Sequence, residues 1–355
     1  MTFDSRARLT GTLLMAAVAL APFLGAYPVL AMKLMCFALF ACAFNLLLGF
    51  TGLLSFGHAA FFGGAAYACG YVMKSLHATP ELGLLAGTAF GALLGLAFGA
   101  LAIRRQGIYF AMVTLALAQM FYFFCLQAPV TGGEDGLQAV PRGSLFGLLS
   151  LEGDLTMYYV VSIVVGAALL LIARVVNSPF GQVLRAIKEN EPRAISLGYD
   201  TDRFKLLAFV LSSALAGLAG ALKTLVLGFA TLTDVHWAMS GSVILMTLVG
   251  GMGTLSGPIL GALVIVAVEN KLGDAGSSLA AMTGVDWFNT LGESVSMVTG
   301  LIFVVCVLTF RRGIMGEVQA LLERRAALAR PGPDSAAAPL HGHCATAATS
   351  ATLKG

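Results

Sequence analysis

Apolar residues fill long runs in this chain; they neither alternate nor recur on one face of a helix. Seven runs stand out: Leu9 to Gly25, Val29 to Leu48, Ala59 to Met73, Leu82 to Ile103, Ile108 to Gln127, Tyr158 to Val175 and Leu206 to Phe229, and an eighth covers Val295 to Phe310. A helix needs about 20 mainly apolar residues to cross a bilayer, so each run predicts a span. Between the seventh and the eighth, Ser242 to Val268 is interrupted by Gly250, Gly251, Gly253, Gly257 and Pro258, which predicts two short segments. Arg6 and Arg8 precede the first run without a cleavage signature after it, so that run reads as an uncleaved span.

Composition agrees. Hydrophobic residues are 58% and charged residues 11% of 355, whereas a soluble domain carries roughly 25% charged residues. That is too little charge to cover a water-facing surface. A net charge of +3, with no basic run interleaved with aromatics, excludes nucleic acid as a partner. The six cysteines are scattered and read as small packing residues.

Positive charge sets orientation, because cytoplasmic loops are enriched in Lys and Arg. With the N-terminus inside and ten passes, Arg6, Arg8, Arg104, Arg105, Arg174, Arg185, Lys188, Arg193, Arg203, Lys205, Arg311, Arg312, Arg324, Arg325 and Arg330 fall inside. Only Lys33, Lys74, Arg142, Lys223 and Lys271 fall outside or at outer ends. Eight passes with a re-entrant broken segment give the same distribution. The expected organisation is a cytoplasmic N-terminus (1–8), a membrane domain (9–312) with an external loop (128–157) and a cytoplasmic loop (177–205), and a cytoplasmic tail (313–355). From about residue 331 that tail is Ala, Pro, Ser, Thr and Gly, a composition expected to be disordered. His341 and His343 lie in it, and no metal site is expected.

Gly83, Gly87, Gly91, Gly95 and Gly99 recur every four residues in the fourth run. Small residues on one face let membrane helices approach closely. The stripe reads as packing within this chain, with a face against a second membrane subunit as the alternative. Ser213, Gly217 and Ala221 repeat the spacing, as do Gly253, Gly257 and Gly261. Span centres carry no Asp or Glu, which argues against an ion-coupled carrier. There is no Walker A sequence and no H-E-x-x-H, so ATP would have to be handled by another chain, and no catalytic residue is expected.

Within the cytoplasmic loop, Ser178-Pro179 is a helix start. Phe180, Val183, Leu184 and Ile187 then form one apolar stripe, with Arg185, Lys188 and Glu189 off it. Glu191-Pro192 restarts a short helix that Gly198 can end in a left-handed conformation. Such a pair of helices either lies on lipid headgroups or docks onto a cytoplasmic partner.

The string from Ser178-Pro179-Phe180-Gly181-Gln182 to Lys188-Glu189-Asn190-Glu191, with Leu197-Gly198-Tyr199 and Lys205-Leu206-Leu207-Ala208-Phe209, resembles the coupling loop of LivM-type permeases of branched-chain amino acid ABC importers. Asn45 to Gly49 with Thr51 to Phe61, Tyr109 to Ala116 with Thr131-Gly132-Gly133, and Gly250 to Pro258 resemble the same family's other motifs, in family order. One departure is clear: the usual ABC-permease pattern is Glu-Ala-Ala with a Gly six residues after the Glu, whereas Glu191 is followed by Pro192 and Arg193, and Gly198 comes seven residues later.

The resemblance implies an all-α integral membrane permease of about 8–10 transmembrane helices with glycine-broken segments, located in the bacterial inner membrane. It also implies a homologous LivH-type permease, two cytoplasmic ATPases carrying ATP and Mg, and an external substrate-binding protein, with no cofactor on this chain. Phe180, Val183, Leu184 and Ile187 would then be the docking face for an ATPase, rimmed by Arg185, Glu189 and Glu191. Gly52-x-Leu54-Ser55-x-Gly57-His58 and Gly253-x-Leu255-Ser256-Gly257-Pro258 look like an internal repeat. Broken backbone at membrane depth marks substrate paths in transporters. Asn45, Ser55, His58, Tyr109, Thr114 and Gln119, with Gly52 and Gly57, are therefore candidates for the path; ordinary inter-helix hydrogen bonds are the other reading of each. Competing functions are an ABC permease for urea or short amides and a facilitative channel or secondary carrier.

Overall fold

A computed structural model describes residues 27–145, 147, 149–283, 300–301, 304 and 313–316. The run Leu9 to Gly25, most of Val295 to Phe310 and the chain beyond 316 lie outside the described residues. The remaining runs are helices. Helix α1 (Pro28–Asn45) continues directly into a π-helical turn (Leu46–Thr51), followed by α2 (His58–Ser75), α3 (Pro80–Ala102) and α4 (Ile108–Gln127). After a long loop come α5 (Asp154–Val176), the short helices α6 (Pro179–Glu189) and α7 (Glu191–Ser196), and the long α8 (Thr201–Leu227). The glycine-interrupted segment forms α9 (Trp237–Gly250) and α10 (Gly257–Thr283).

These sequences fold as helices because a chain in lipid must satisfy its backbone polar groups internally. Among the described residues, α1 with its π turn, α3, α4, α5 and α8 are each long and apolar enough to cross a membrane. The loop between α4 and α5 holds two short 3-10 turns, Pro129–Thr131 and Gly133–Asp135, and a two-residue hairpin, Ser144–Leu145 with Leu149–Ser150. Two expectations need correction. The loop expected over 128–157 closes at Gly153, since α5 begins four residues before Tyr158, and the second half of the broken segment is a 27-residue helix, not a short one.

α1 is the buried centre, from Cys36 to Asn45 without a break, and lies against α5, α8, α9 and α10. On the other side of α8, the glycine stripe of α3 brings three helices together. A Cβ on Gly91 would stand 2.9 Å from the Ser213 carbonyl and 3.0 Å from the Gly217 Cα, and one on Gly87 would stand 2.8 Å from the Ala221 Cβ and 2.9 Å from the Ala65 carbonyl. Gly83 faces Met73 and Cys69 of α2, Gly95 faces Ser213, and Gly99 faces Leu206 and Phe209. The stripe thus meets helices of this chain. The Gly253, Gly257, Gly261 spacing is not one helical face: Gly253 sits in the turn before α10 at φ +76°, and only Gly257 and Gly261 belong to the helix. Gly261 packs on the Met246 carbonyl of α9.

α4 is packed least, with Ile108, Tyr109, Met112, Met120, Phe123 and Phe124 all exposed. Apolar surface on this scale belongs against lipid or another subunit.

Because overpacking a tight contact costs about 1–3 kcal/mol, Gly91→Leu is expected to lower the detergent melting temperature by several degrees. Leu93→Ala, at a residue 66% exposed on the same helix, is expected to leave it unchanged. Equal melting temperatures for both variants contradict the packing assignment.

Candidate functional site

The paired helices α6 and α7 form as their residues dictate. Ser178 caps α6, its Oγ accepting from Gly181 N at 3.4 Å and donating to the Val175 carbonyl at 2.7 Å, with Pro179 at the first position. Asn190 caps α7 by accepting from Arg193 N at 3.1 Å, and Gly198 at φ +88° ends it, with Tyr199 N reaching back to the Ala194 carbonyl.

The orientation of α6 differs from expectation. Leu184 and Ile187 are buried inside this chain, Val183 is half-buried, and Phe180 stacks on Phe204 at the start of α8, ring centroids 5.7 Å apart. The apolar stripe packs on the π turn and on α8 and is not free to meet a partner. An amphipathic helix buries its stripe against the nearest apolar surface, which here is the end of its own membrane bundle. Glu191 is likewise not a rim residue: its Oε1 pairs with the buried Lys205 ammonium and accepts from Thr201 Oγ1 at 3.3 Å, fixing α7 to α8. The outward face of α6 is Gln182, Arg185, Ala186 and Glu189, all exposed.

Beneath α6, the two glycine motifs meet. Asn45, the last residue of α1, donates from Nδ2 to the Thr254 carbonyl at 2.8 Å and accepts from Gly253 N at 3.0 Å. A Cβ on Gly49 would overlap Asn45 Oδ1 and stand 2.7 Å from Gly253 N, so only glycine fits there. Gly52 closes the π turn at φ +79°. From there the chain climbs back toward α2. His58 Nε2 lies 2.9 Å from Ser212 Oγ, and Ser212 is the twelfth residue of α8, so α2 starts roughly 16 Å along that helix at a 1.5 Å rise per residue.

The candidate path residues do not converge on one cavity. Ser212 gives its single hydroxyl proton to the Ala43 carbonyl at 2.6 Å, so His58 Nε2–H is the donor of the other bond and Nδ1 is left a bare acceptor among Phe44, Phe61 and Phe209. Thr114 Oγ1 donates to the Ala111 carbonyl at 2.9 Å and accepts from Phe56 N at 3.2 Å, while Ser55 Oγ accepts from Gly57 N at 3.2 Å. Ala59 N, in the first turn of α2, donates to Ser240 Oγ of α9 at 2.9 Å. Asn45, Ser55, His58 and Thr114 are therefore each bonded to other groups of this chain, His58 between two helices and the other three at the breaks. Tyr109 is 69% exposed on the outside of α4, and Gln119 is half-buried. Beside the break runs an open groove of about 470 Å³ lined by Gly52, Leu53, Leu54, Phe56, Gly107, Ile108 and Ala111. Its walls are apolar, with glycine backbone at two corners.

Two features escaped the sequence reading. Lys188 Nζ donates to the Gly49 carbonyl at 2.7 Å, across the cleft from α6 to the π turn. Lys223, expected at an outer end, is buried with Asp234 at 2.5 Å, their side chains 6% and 3% exposed. Asp234 Oδ2 also accepts from Thr231 N and Oγ1, which holds the stretch between α8 and α9 against the bundle. The signal available was that an ionisable residue inside an apolar run is by default paired. Above this stretch, Leu137 and Ala230 pair antiparallel and Val140 N donates to the Gly228 carbonyl at 2.8 Å, tying the Thr131-Gly132-Gly133 loop down.

An all-α, multi-pass membrane protein with broken helices and a paired-helix loop at one end is the architecture of a transport permease. The chain belongs to the branched-chain amino acid transport system permease component family, whose model matches residues 29–309. It is 30% identical over 278 residues to the high-affinity branched-chain amino acid transport permease LivM of Escherichia coli, covering 70% of this chain and 64% of that one. The chain thus spans under two thirds of that relative's length. A probable branched-chain amino acid transport permease LivH of Methanocaldococcus jannaschii is 30% identical over 129 residues, 36% of this chain and 39% of its own. The autoinducer 2 import permease LsrC of Salmonella choleraesuis is 32% identical over 110 residues, 30% and 32% of the two chains. No solved structure matches.

Fully burying a leucine contributes about 1.5–3 kcal/mol, and a buried unpaired charge costs more. Leu184→Asp is therefore expected to remove folded protein from the membrane, read as loss of the monodisperse peak in detergent; a well-folded variant contradicts the inward orientation of α6. Breaking a buried ion pair costs about 3–5 kcal/mol whereas replacing both partners by apolar groups costs less. Lys223→Met is accordingly expected to melt well below Lys223→Met/Asp234→Leu, and the reverse order contradicts the pairing.

Proposed function

We propose that this chain is the membrane-spanning permease subunit of an ATP-driven importer for branched-chain amino acids. It works beside a LivH-like second permease, two cytoplasmic ATPases carrying ATP and Mg, and an external binding protein. The chain sits in the bacterial inner membrane with the α6–α7 end and both termini in the cytoplasm, and it binds no cofactor itself. The observation that carries this reading is α6: an amphipathic helix whose apolar stripe is spent on its own bundle, leaving Gln182, Arg185, Ala186 and Glu189 outward. A polar face with a glycine-broken membrane segment directly behind it suits an ATPase that pushes on the bundle. Docking here is polar, through the exposed face of α6, and the apolar residues act as the anchor that makes α6 move with the membrane part.

The likeness to the autoinducer 2 import permease LsrC favours a second reading of the substrate, a solute other than an amino acid. The solute itself then separates the readings in one assay. In proteoliposomes holding the chain with a LivH-like permease, the ATPases and the binding protein, uptake of leucine is expected to require ATP, and Gln182→Cys is expected to cross-link to an ATPase. Leucine uptake by the chain alone, without ATPases, contradicts the proposal and supports a facilitative channel or carrier.

A further inference from the structure

The end of α1 is where three separate parts of the chain meet. The π turn ends a long helix, so its last carbonyls lack intrahelical partners and carry the negative end of the helix dipole. The Gly49 carbonyl is taken by Lys188 Nζ at 2.7 Å, from a residue 139 positions later. The Lys188 stem lies across the turn, close enough that a Cβ on Gly52 would stand 3.0 Å from its Cγ. One turn earlier on α6, the Arg185 guanidinium sits 5.3 Å from the centre of the Phe50 ring. On the opposite side of the same turn, Asn45 holds Gly253 and Thr254 with both atoms of its amide. Lys188 thus ties α6 to the π turn, with the exposed Arg185 beside it over Phe50, while the turn holds the second glycine motif from the other side.

We propose that Lys188 is the positioning residue through which displacement of α6 is delivered to the two glycine-broken segments. This rests on the ATPase-coupled reading above and names the contact that carries it. A charge-assisted bond to a helix-terminal carbonyl is strong and directional, and its loss strands a polar group near the membrane edge. The π turn therefore follows α6 when α6 moves. Because Gly49 leaves no gap between the turn and Gly253, a shift of the turn reaches the 251–256 stretch and the start of α10 without slack. π turns are exceptional geometry, and they occur disproportionately where helices have to rearrange.

The test uses the complete importer in proteoliposomes, with solute imported per ATP hydrolysed as the readout. A coupling free energy between two sites ordinarily amounts to a factor of about 5–150, so Lys188→Met is expected to lower this ratio by roughly tenfold. Lys188→Arg, which keeps a charged donor, is expected to retain most of it. A contact that only supports folding changes the amount of assembled complex and leaves the ratio alone. The inference is overturned if Lys188→Met imports as many molecules per ATP as the unaltered chain. It is also overturned if Lys188→Met and Lys188→Arg both fail to assemble, because the contact is then structural. Failure of the unaltered complex to import with ATP overturns the functional reading itself, a different result from either of these.

Discussion

Backbone that leaves the helix inside a membrane must find partners for its N–H and C=O groups in protein, because lipid offers none. Most of what is distinctive in this chain follows from that constraint. α1 ends in a π turn and α2 starts only about half-way along α8, so the connection between them is unpaired at depth. Lys188, Thr114 and Ser240 each take up groups that this break exposes, and Asn45 does the same for the 251–256 break. Glycine is required where the polar partners come closest: any side chain at Gly49 would displace the amide that bridges to Gly253.

The opposite end of the bundle meets the same constraint with charge. The residues between α8 and α9 cross from the end of a long helix to the start of a short one, and the Lys223–Asp234 pair with its Thr231 cap anchors them. A buried pair of this kind is a poor source of net stability compared with apolar packing, but it specifies one arrangement, since either charge alone is costly. The loop between α4 and α5 adds backbone pairing from Leu137 and Val140 over it. One end is thus held by an ion pair within the bundle, whereas the other is held by Lys188 of α6.

Much of the fold was legible because a membrane span needs only length and apolarity. Runs such as Leu82 to Ile103 and Ile108 to Gln127 match α3 and α4 closely. The α3 glycine spacing was legible too, since a period of four has few other uses in an apolar helix. The orientation of α6 was not: the stripe Phe180, Val183, Leu184, Ile187 states that one face is covered but not by which chain. Nor was the placing of Gly253, because identical spacing arises from a turn and from a helix. The Lys188–Gly49 contact joins residues far apart in sequence, and the acceptor is a backbone carbonyl, which no residue pattern records. The candidate path residues were chosen for broken backbone and polarity, and polarity inside a membrane is as often spent on holding helices together as on a solute.

The central claim, that α6 and the second glycine motif move as one body through the π turn, is tested most directly by a distance. Spin labels at Gln182→Cys on α6 and Met252→Cys in the 251–256 turn, both exposed positions, can be measured in the assembled complex with and without bound ATP. Rigid linkage through Lys188, Gly49 and Asn45 predicts the same label-to-label distance in both states, while the distance from Gln182→Cys to a label on the loop between α4 and α5 changes. A Gln182–Met252 distance that differs between the two states contradicts it.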